Sequence, residues 1–463
     1  MSQEKQNKTK ETGESKSAGQ LFHGARGLAV KILNRVERTD AYLDKLVNNE
    51  LRSHELSDQD KGLLNELVTG VVRWQIKLDW VLNGFYRGNF PKADVNVKNA
   101  MRVALYQLMF LDRIPHHAAV NEAVEFVKRL RNERYAGIVN GVLRNIERHL
   151  HEIRYPDRNE TLEHYLSVFH AHPIWMVKRW LERYGEEQTE KLLIANNQKP
   201  PLTIRINKIK IQPAEFISLL DKEGFDYTPS SYLDYYVHLQ GASGMAQLDL
   251  FRKGYFSIQD ESAGLAGKLL DPKPHERIID LCSAPGGKAM HLAEMMNNTG
   301  EVIAVEKYPA RADLIKSAAE RLGVTNIKIV AEDANSFDAA IADRVIVDVP
   351  CTGLGVVRKK PDIKLKRDVS DIPKLTKLQY ILLVKAASLT KPGGILVYST
   401  CTIEPDENEA IVQRFLENNK NFAIDDPTSF VNKDFITGRK TVETYPHMHT
   451  MDGSFAARLK RLY

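Results

Sequence analysis

The sequence predicts an α/β domain built on a doubly wound, mostly parallel sheet, preceded by an all-α domain and a small α+β segment. Three observations lead there. From residue 254 onward, short Ile- and Val-rich runs alternate with helical stretches, the pattern of a parallel sheet covered on both faces. From 20 to 149, apolar residues recur at three- and four-residue spacing, with no strand-like run among them. Between these regions the chain breaks at Lys199-Pro200-Pro201, and short strand-like and helix-like pieces follow.

The bulk properties agree. A chain of 463 residues suggests several domains, roughly three at ~150 residues each. Hydrophobic content is 43% and charged content 27%, both ordinary for a globular protein. The net charge of +5 is compatible with a polyanionic partner and equally with none. No apolar run approaches the ~18 residues of a membrane span, and the N-terminus lacks the apolar stretch of a secretory signal. Residues 1–19 are polar, rich in Lys, Glu and Ser and free of aromatics, which predicts a disordered tail. The three cysteines cannot all pair and none lies in a CxxC, so a reduced, cytoplasmic setting is expected.

In chain order, AVKILNRVERTDAYLDKLV, KGLLNELVTGVVRWQIKLDWVLNGF, VKNAMRVALYQLMFL and AVNEAVEFVKRL read as amphipathic helices of the 20–149 domain. His116-His117 reads as a helix start, since no further ligand lies at metal spacing, and no metal is expected. The segment 150–253 opens with a charged helix, RWLERYGEEQTEKLLIANN. LTIRINKIK then reads as a strand, AEFISLLDKEG as a helix and YYVHLQG as a second strand. Arg205, Lys208 and Lys210 line the first of these strands. A solvated strand face is the favoured reading, with contact to a phosphate backbone as the alternative.

In 254–463 the strands RIIDLC, EVIAVE, NIKIVAED, DRVIVDVP and GGILVYST each end in an unusual residue, and such sheets bind ligands at the carboxyl ends of their strands. Asp280-Leu281-Cys282-Ser283-Ala284-Pro285-Gly286-Gly287-Lys288 is a strand, a turn of small residues and a helix start. It lets a ligand approach backbone N–H groups closely. It is neither GxGxxG nor a phosphate-binding GxxxxGKS/T, which disfavours a dinucleotide or a nucleoside triphosphate. The next strand ends in Glu306 and the third in Glu332-Asp333. An acid at either place is often a helix cap. Two in succession beside the glycine turn favour a ligand with ribose and adenine but no pyrophosphate. The fourth strand ends in Asp348-Val349-Pro350-Cys351 and the fifth in Ser399-Thr400-Cys401, which puts two thiols on one rim. A thiol there can be tuned toward thiolate and act as a nucleophile, and no histidine stands close in sequence to either.

Together, DLCSAPGGK, VDVPCTGLGVVRKKPDIK and YSTCTIEPDENEAIV resemble the RNA cytosine-C5 methyltransferases. FSIQDESAGLAGKLL resembles that family's opening motif, with Gln259, Asp260 and Ser262 matching. LLNELVTGVVRWQIKLDWVL and YAGIVNGVLRNI resemble the NusB-like RNA-binding domain joined to bacterial small-subunit rRNA methyltransferases of the RsmB/Sun (Fmu) type. The likeness runs from about residue 20 to the end and implies a Rossmann-like S-adenosylmethionine-dependent methyltransferase domain at 254–463.

The activity it implies is methyl transfer from S-adenosyl-L-methionine to C5 of a cytosine in 16S rRNA, through a covalent cysteine–C6 adduct. Cys401 takes the place of the nucleophile and Cys351 that of the thiol acting in product release. Spacing alone leaves open which of the two attacks. Asp348 would contact the base, with Lys288 positioning Asp348 or the base. Cys282, Ser283, Ala284, Pro285, Gly286, Gly287 and Lys288 would surround the cofactor's methionine part and ribose. Glu306 would take the ribose hydroxyls, Asp333 the adenine edge and Asp348 the methyl-bearing end, with Arg311 beside the nucleoside. Glu306 stands where the family often has Asp, and Ser454 where it usually has an aromatic residue. The resemblance implies small-subunit rRNA as partner, with no DNA and no membrane, and a monomer is expected. The segment 150–253 and Arg358, Lys359 and Lys360 would help position RNA. Two alternatives stay open: a tRNA cytosine-C5 methyltransferase and a non-catalytic NusB-like RNA-binding factor. The absent GxGxxG argues against an NAD-dependent oxidoreductase.

Overall fold

The computed structural model describes residues 22–240 and 248–463, so the tail expected at 1–19 lies outside the described residues. The chain divides into two units. One runs to Asn197 and takes in Lys360–Lys366; the other comprises Gln198–Lys359 and Arg367–Tyr463.

Among the described residues the first unit is helical: α1 (Gly24–Arg38), α2 (Leu43–Ser53), α3 (Asp58–Phe85), α4 (Val95–Phe110), α5 (His116–Leu130), α6 (Glu133–Arg148), α7 (Leu162–Phe169) and α8 (Ile174–Asn197). Side-chain caps explain several starts. Ser57 accepts from Asp60 N, Asp94 from Asn96 N and Val97 N, and Asn132 from Tyr135 N. The helix α4 is buried on nearly every side from Ala100 to Leu108 and forms the centre of the core with Leu28, Leu67, Val71, Val120 and Leu143. The sequence groups the helices after 150 with the α+β segment, whereas α7 and α8 cluster with α1–α6. The far segment Lys360–Lys366 is held inside this unit by Lys364, whose ammonium donates to Arg73 O and Ala171 O, each at 2.8 Å. Burial drives the Lys364 pKa far below the lysine range.

The second unit holds two sheets. The smaller has the order β2-β3-β1-β4, with every pair antiparallel: β1 (Leu202–Ile206), β2 (Tyr227–Pro229), β3 (Tyr236–Leu239) and β4 (Phe256–Ile258). Helix α9 (Pro213–Glu223) stops at Gly224, whose φ of 72° closes its C-terminus.

The larger sheet has the order β10-β12-β9-β8-β5-β6-β7, with β11 paired to β12. Its core strands are β5 (Arg277–Leu281), β6 (Glu301–Val305), β7 (Ile327–Val330), β8 (Ala342–Asp348) and β9 (Thr390–Thr400). These are mutually parallel, as the five apolar runs predict. β10 (Phe422–Ile424), β11 (Val442–Thr444) and β12 (Ser454–Arg461) add an antiparallel extension that makes the sheet mixed. The longer helices that accompany this sheet are α10 (Glu261–Leu270), α11 (Gly287–Met295), α12 (Pro309–Leu322), α13 (Asp371–Leu389) and α14 (Glu409–Asn418). Residues 278–281 of β5 and 302–305 of β6 are all buried, which accounts for their unbroken hydrophobicity. The chain leaves β5 toward β6 and later returns on the other side of β5 as β8, creating a topological switch point. In register, Leu281 lies opposite Val347 and Asp348 opposite Ser399, so the carboxyl ends of β5, β8 and β9 share one rim.

Candidate active site

The turn leaving β5 is shaped by its backbone. Cys282 has φ 63°, uncommon for a residue with a side chain, and Gly286 has φ 97° where α11 begins. Ser283 Oγ donates to Asp280 Oδ2 at 2.8 Å, and Gly286 N donates to Ser283 O at 2.8 Å. A Cβ on Gly286 would stand 3.2 Å from Ile315, and one on Gly287 3.3 Å from the Gln259 amide. The turn is therefore packed from behind and has room for side-chain atoms only with displacement.

Four carboxylates surround this turn. Burial pushes the Cys282 thiol up to about 12, and Asp280, Asp348, Glu306 and Asp333 all push it the same way. Burial likewise raises Asp280 to about 7, with Asp348 adding to the rise despite the Ser283 hydrogen bond. Glu306 is buried, accepts from Tyr308 N at 3.0 Å and pairs with Arg311 at 3.4 Å. Arg311 also donates to Ala284 O at 2.8 Å, which ties the acid to the turn. Asp333 pairs with Lys307 at 2.8 Å, and that hydrogen bond holds its carboxyl below the usual range. Acids at the ends of β5, β6, β7 and β8, three of them paired with Arg311, Lys307 and Lys288, set hydrogen-bond acceptors around a turn of small residues. That set fits the ribose hydroxyls and amino groups of an adenosine ligand such as S-adenosylmethionine.

Beyond Asp348 stand the thiols. Lys288 Nζ donates to Asp348 Oδ2 at 2.6 Å, and Ser399 Oγ donates to Asp348 Oδ1 at 2.9 Å, so both oxygens are aimed. Burial works against the Lys288 charge, but attraction to Asp348 prevails and its pKa rises. Cys351 Sγ and Cys401 Sγ are 3.3 Å apart, Cys351 buried and Cys401 exposed. The hydrogen bond to Cys401, together with burial, puts the Cys351 pKa well above the usual thiol value. Cys351 therefore stays a thiol, while Cys401 faces solvent. Among the described residues no cluster of His, Cys, Asp and Glu has the make-up of a metal site.

The residues singled out from sequence thus come together on one rim: Cys282 to Lys288, Glu306, Arg311, Asp333, Asp348, Cys351 and Cys401. The basic residues set against RNA are placed otherwise. Arg358 Nε donates to Asp452 at 2.9 Å, and Lys359 pairs with Asp452 at 2.9 Å and with Asp260. These ion pairs turn Arg358 and Lys359 inward, and only Lys360 of the three is exposed. The solvated reading fails for Arg205 and holds for Lys208 and Lys210, which are exposed and lie past the strand's end at Ile206. Arg205 is fully buried, pairs with Glu294 at 2.7 Å and donates to Gly287 O at 3.0 Å. Lys208 lies over the Tyr235 ring at 4.4 Å, and Lys210 donates to Lys253 O and Arg321 O.

Sequence reasoning also passed over Asp280, Ser399 and Glu407. Each sits within a quoted motif, but its partner is fixed only by the fold. Asp260 is pulled down to about 2 by Lys359 and Arg358 against its burial, and it caps α10 by accepting from Ser262 N.

Comparisons place this site in a family. Residues 267–460 match the family model described as 16S rRNA methyltransferase RsmB/F, 23–148 match the NusB family, and 172–246 match the ferredoxin-like domain of RsmF/B-like methyltransferases. The chain is 38% identical over 405 residues to the probable ribosomal RNA small subunit methyltransferase B of Bacillus subtilis, covering 86% of this chain and 90% of that one. It is 35% identical over 392 residues to ribosomal RNA small subunit methyltransferase B of Pseudomonas syringae pv. tomato, covering 84% and 85%. The crystal structure of PH0851 is 25% identical, covers 95% of this chain and 99% of its own, and has a TM-score of 0.80. Fold and site define an S-adenosylmethionine-dependent methyltransferase. The chain belongs to the ribosomal RNA small subunit methyltransferase B family.

Proposed function

We propose that this protein methylates C5 of a cytosine in 16S rRNA, with Cys401 as the attacking thiol. The observation that carries this reading is the pair of thiols 3.3 Å apart beside the Lys288–Asp348 pair. A methyltransferase acting on an oxygen or an exocyclic nitrogen needs neither thiol. C5 of cytosine is too weak a nucleophile unaided, which is the difficulty covalent catalysis removes. The names of the relatives and of the matching family support the rRNA substrate.

In this reading the Cys401 thiolate forms a bond to C6, and the ring's electron pair is released toward C5. Asp348, held by Lys288 and Ser399, accepts from the N4 amino edge and orients the ring, while the Lys288 ammonium offsets the negative charge that builds as the thiolate adds. S-adenosylmethionine, held by the 282–288 turn, Glu306, Arg311 and Asp333, supplies an electrophilic methyl group at C5. Transfer of the C5 proton to water at the exposed rim then breaks the C6–Sγ bond, returning the thiolate and an aromatic ring, and Cys351 acts in that release. The target base has to leave its stack to reach the rim, so unpaired RNA is the form recognised.

Labelled S-adenosylmethionine incubated with 16S rRNA tests the reading. Cys401→Ala is expected to give no methylation, and Cys351→Ala to trap a protein–RNA adduct that survives denaturing electrophoresis. Full activity in Cys401→Ala, or trapping by that variant instead, overturns the assignment.

A further inference from the structure

The two thiols sit on separate loops, one after β8 and one after β9, yet their separation is that of sulfurs in direct contact. Something must hold the loops in register. The fully buried carboxylate of Glu407 does so from the turn between β9 and α14. Its Oε1 accepts from Thr352 N at 2.8 Å and from Gln379 Nε2 at 2.9 Å, and its Oε2 accepts from the Thr352 hydroxyl. Gln379 Nε2 donates in turn to Pro350 O at 2.9 Å. Both neighbours of Cys351 are thereby tied to Glu407, one directly and one through Gln379.

The next residue serves the other thiol. Asn408 Oδ1 accepts from Thr400 Oγ1 at 2.7 Å, and Asn408 Nδ2 donates to Thr402 O at 3.0 Å. These are the neighbours of Cys401. A cross-link at 2.8 Å between the Thr352 and Thr402 hydroxyls closes the frame. Two consecutive residues therefore each grip the flanks of a different cysteine.

We propose that Glu407 is a positioning residue that sets Cys351 against Cys401 for product release, with Asn408 as its counterpart for the nucleophile. The inference rests on the covalent reading above. Without Glu407, Thr352 N loses its acceptor, Gln379 and the Thr352 hydroxyl each lose one of two contacts, and the Cys351 loop loosens, while the Cys401 flanks keep Asn408. Bond formation at C6 then proceeds and release lags, because small misplacements at a reacting centre cost on the order of a hundredfold.

The test measures single-turnover methyl transfer, multiple turnover and denaturant-resistant adduct with 16S rRNA, running Cys351→Ala in parallel. In Glu407→Ala, single-turnover transfer is expected to stay within about threefold of wild type, turnover to fall on the order of tenfold to a hundredfold, and adduct to accumulate. Glu407→Gln keeps a carbonyl acceptor for Thr352 N and Gln379 and is expected to restore turnover. Thr352→Val, which removes one hydroxyl and leaves Glu407 in place, is expected to show the same adduct more weakly and serves if Glu407→Ala does not fold. If Cys351→Ala traps adduct and neither Glu407→Ala nor Thr352→Val does, the brace is wrong and the covalent reading stands. If Cys351→Ala traps nothing, the covalent reading and the brace fall together.

Discussion

Lys288 and Asp348 are joined by a 2.6 Å ion pair across the switch point of the sheet, the lysine from the start of α11 and the aspartate from the end of β8. The pair links the cofactor turn to the thiol rim. Asp348→Asn keeps the shape and removes the charge that Lys288 balances. Methyl transfer is expected to fall by about 10²–10³-fold, the scale of a lost acid–base or charge-stabilising group. A fall of less than about tenfold, ~1.4 kcal/mol of barrier, removes Asp348 from the chemistry.

Asp280 predicts a pH dependence. Its folded pKa of about 7 lies above the ordinary value of 3.8, so the folded state holds a proton that the unfolded chain gives up. The stability it contributes is full below about 3.8 and is lost as pH rises toward 7. Asp280→Asn is expected to flatten the loss of melting temperature between pH 5 and pH 8. A cationic cofactor favours the ionised acid, so S-adenosylmethionine is expected to bind more tightly at pH 8 than at pH 6. Calorimetry should find that difference reduced in Asp280→Asn, and equal pH slopes in the two proteins exclude Asp280 as its source.

Arg205 carries the buried charge that answers Glu294. Arg205→Met leaves that carboxylate without its ion-pair partner in an apolar setting, which typically costs about 3–5 kcal/mol. Urea unfolding is expected to show the loss, and Arg205→Met combined with Glu294→Gln to recover part of it. Because Arg205 also holds Gly287 O, cofactor affinity in the single variant should fall even where the protein remains folded.

Gly355 and Gly453 approach so closely that a Cβ on Gly355 would fall 1.9 Å from Gly453 O and 2.9 Å from Cys401 O. Both obstacles are backbone, so no side chain can swing away. Gly355→Ala is expected to destabilise by about 1–3 kcal/mol and to displace the Cys401 loop, seen as lower melting temperature together with lost methylation. Retained activity at wild-type stability contradicts this packing.

The five parallel strands were legible because burial on both faces writes them as continuous Ile and Val runs. β12, SFAARLKR, was not. It pairs antiparallel with β9, and its Arg458 is turned inward to Leu269 O and Asp425. In a linear reading that charge looks like surface. The same blindness explains Arg205, Arg358 and Lys359. Arg205 meets Glu294 89 residues away and Lys359 meets Asp260 99 residues away, and nothing local to a basic residue reports a distant acid. The thiols and acids of the rim were legible for the opposite reason: strand ends fix where they stand, whatever the loops do between them.

The carboxylates of Glu306, Asp333 and Asp348 are each answered by a cation, Arg311, Lys307 and Lys288. A ligand on this rim therefore meets matched donors and acceptors rather than one unbroken sign of charge. Such a rim selects by the pattern of hydrogen bonds, which a methyl donor and its spent form share in their adenosine half.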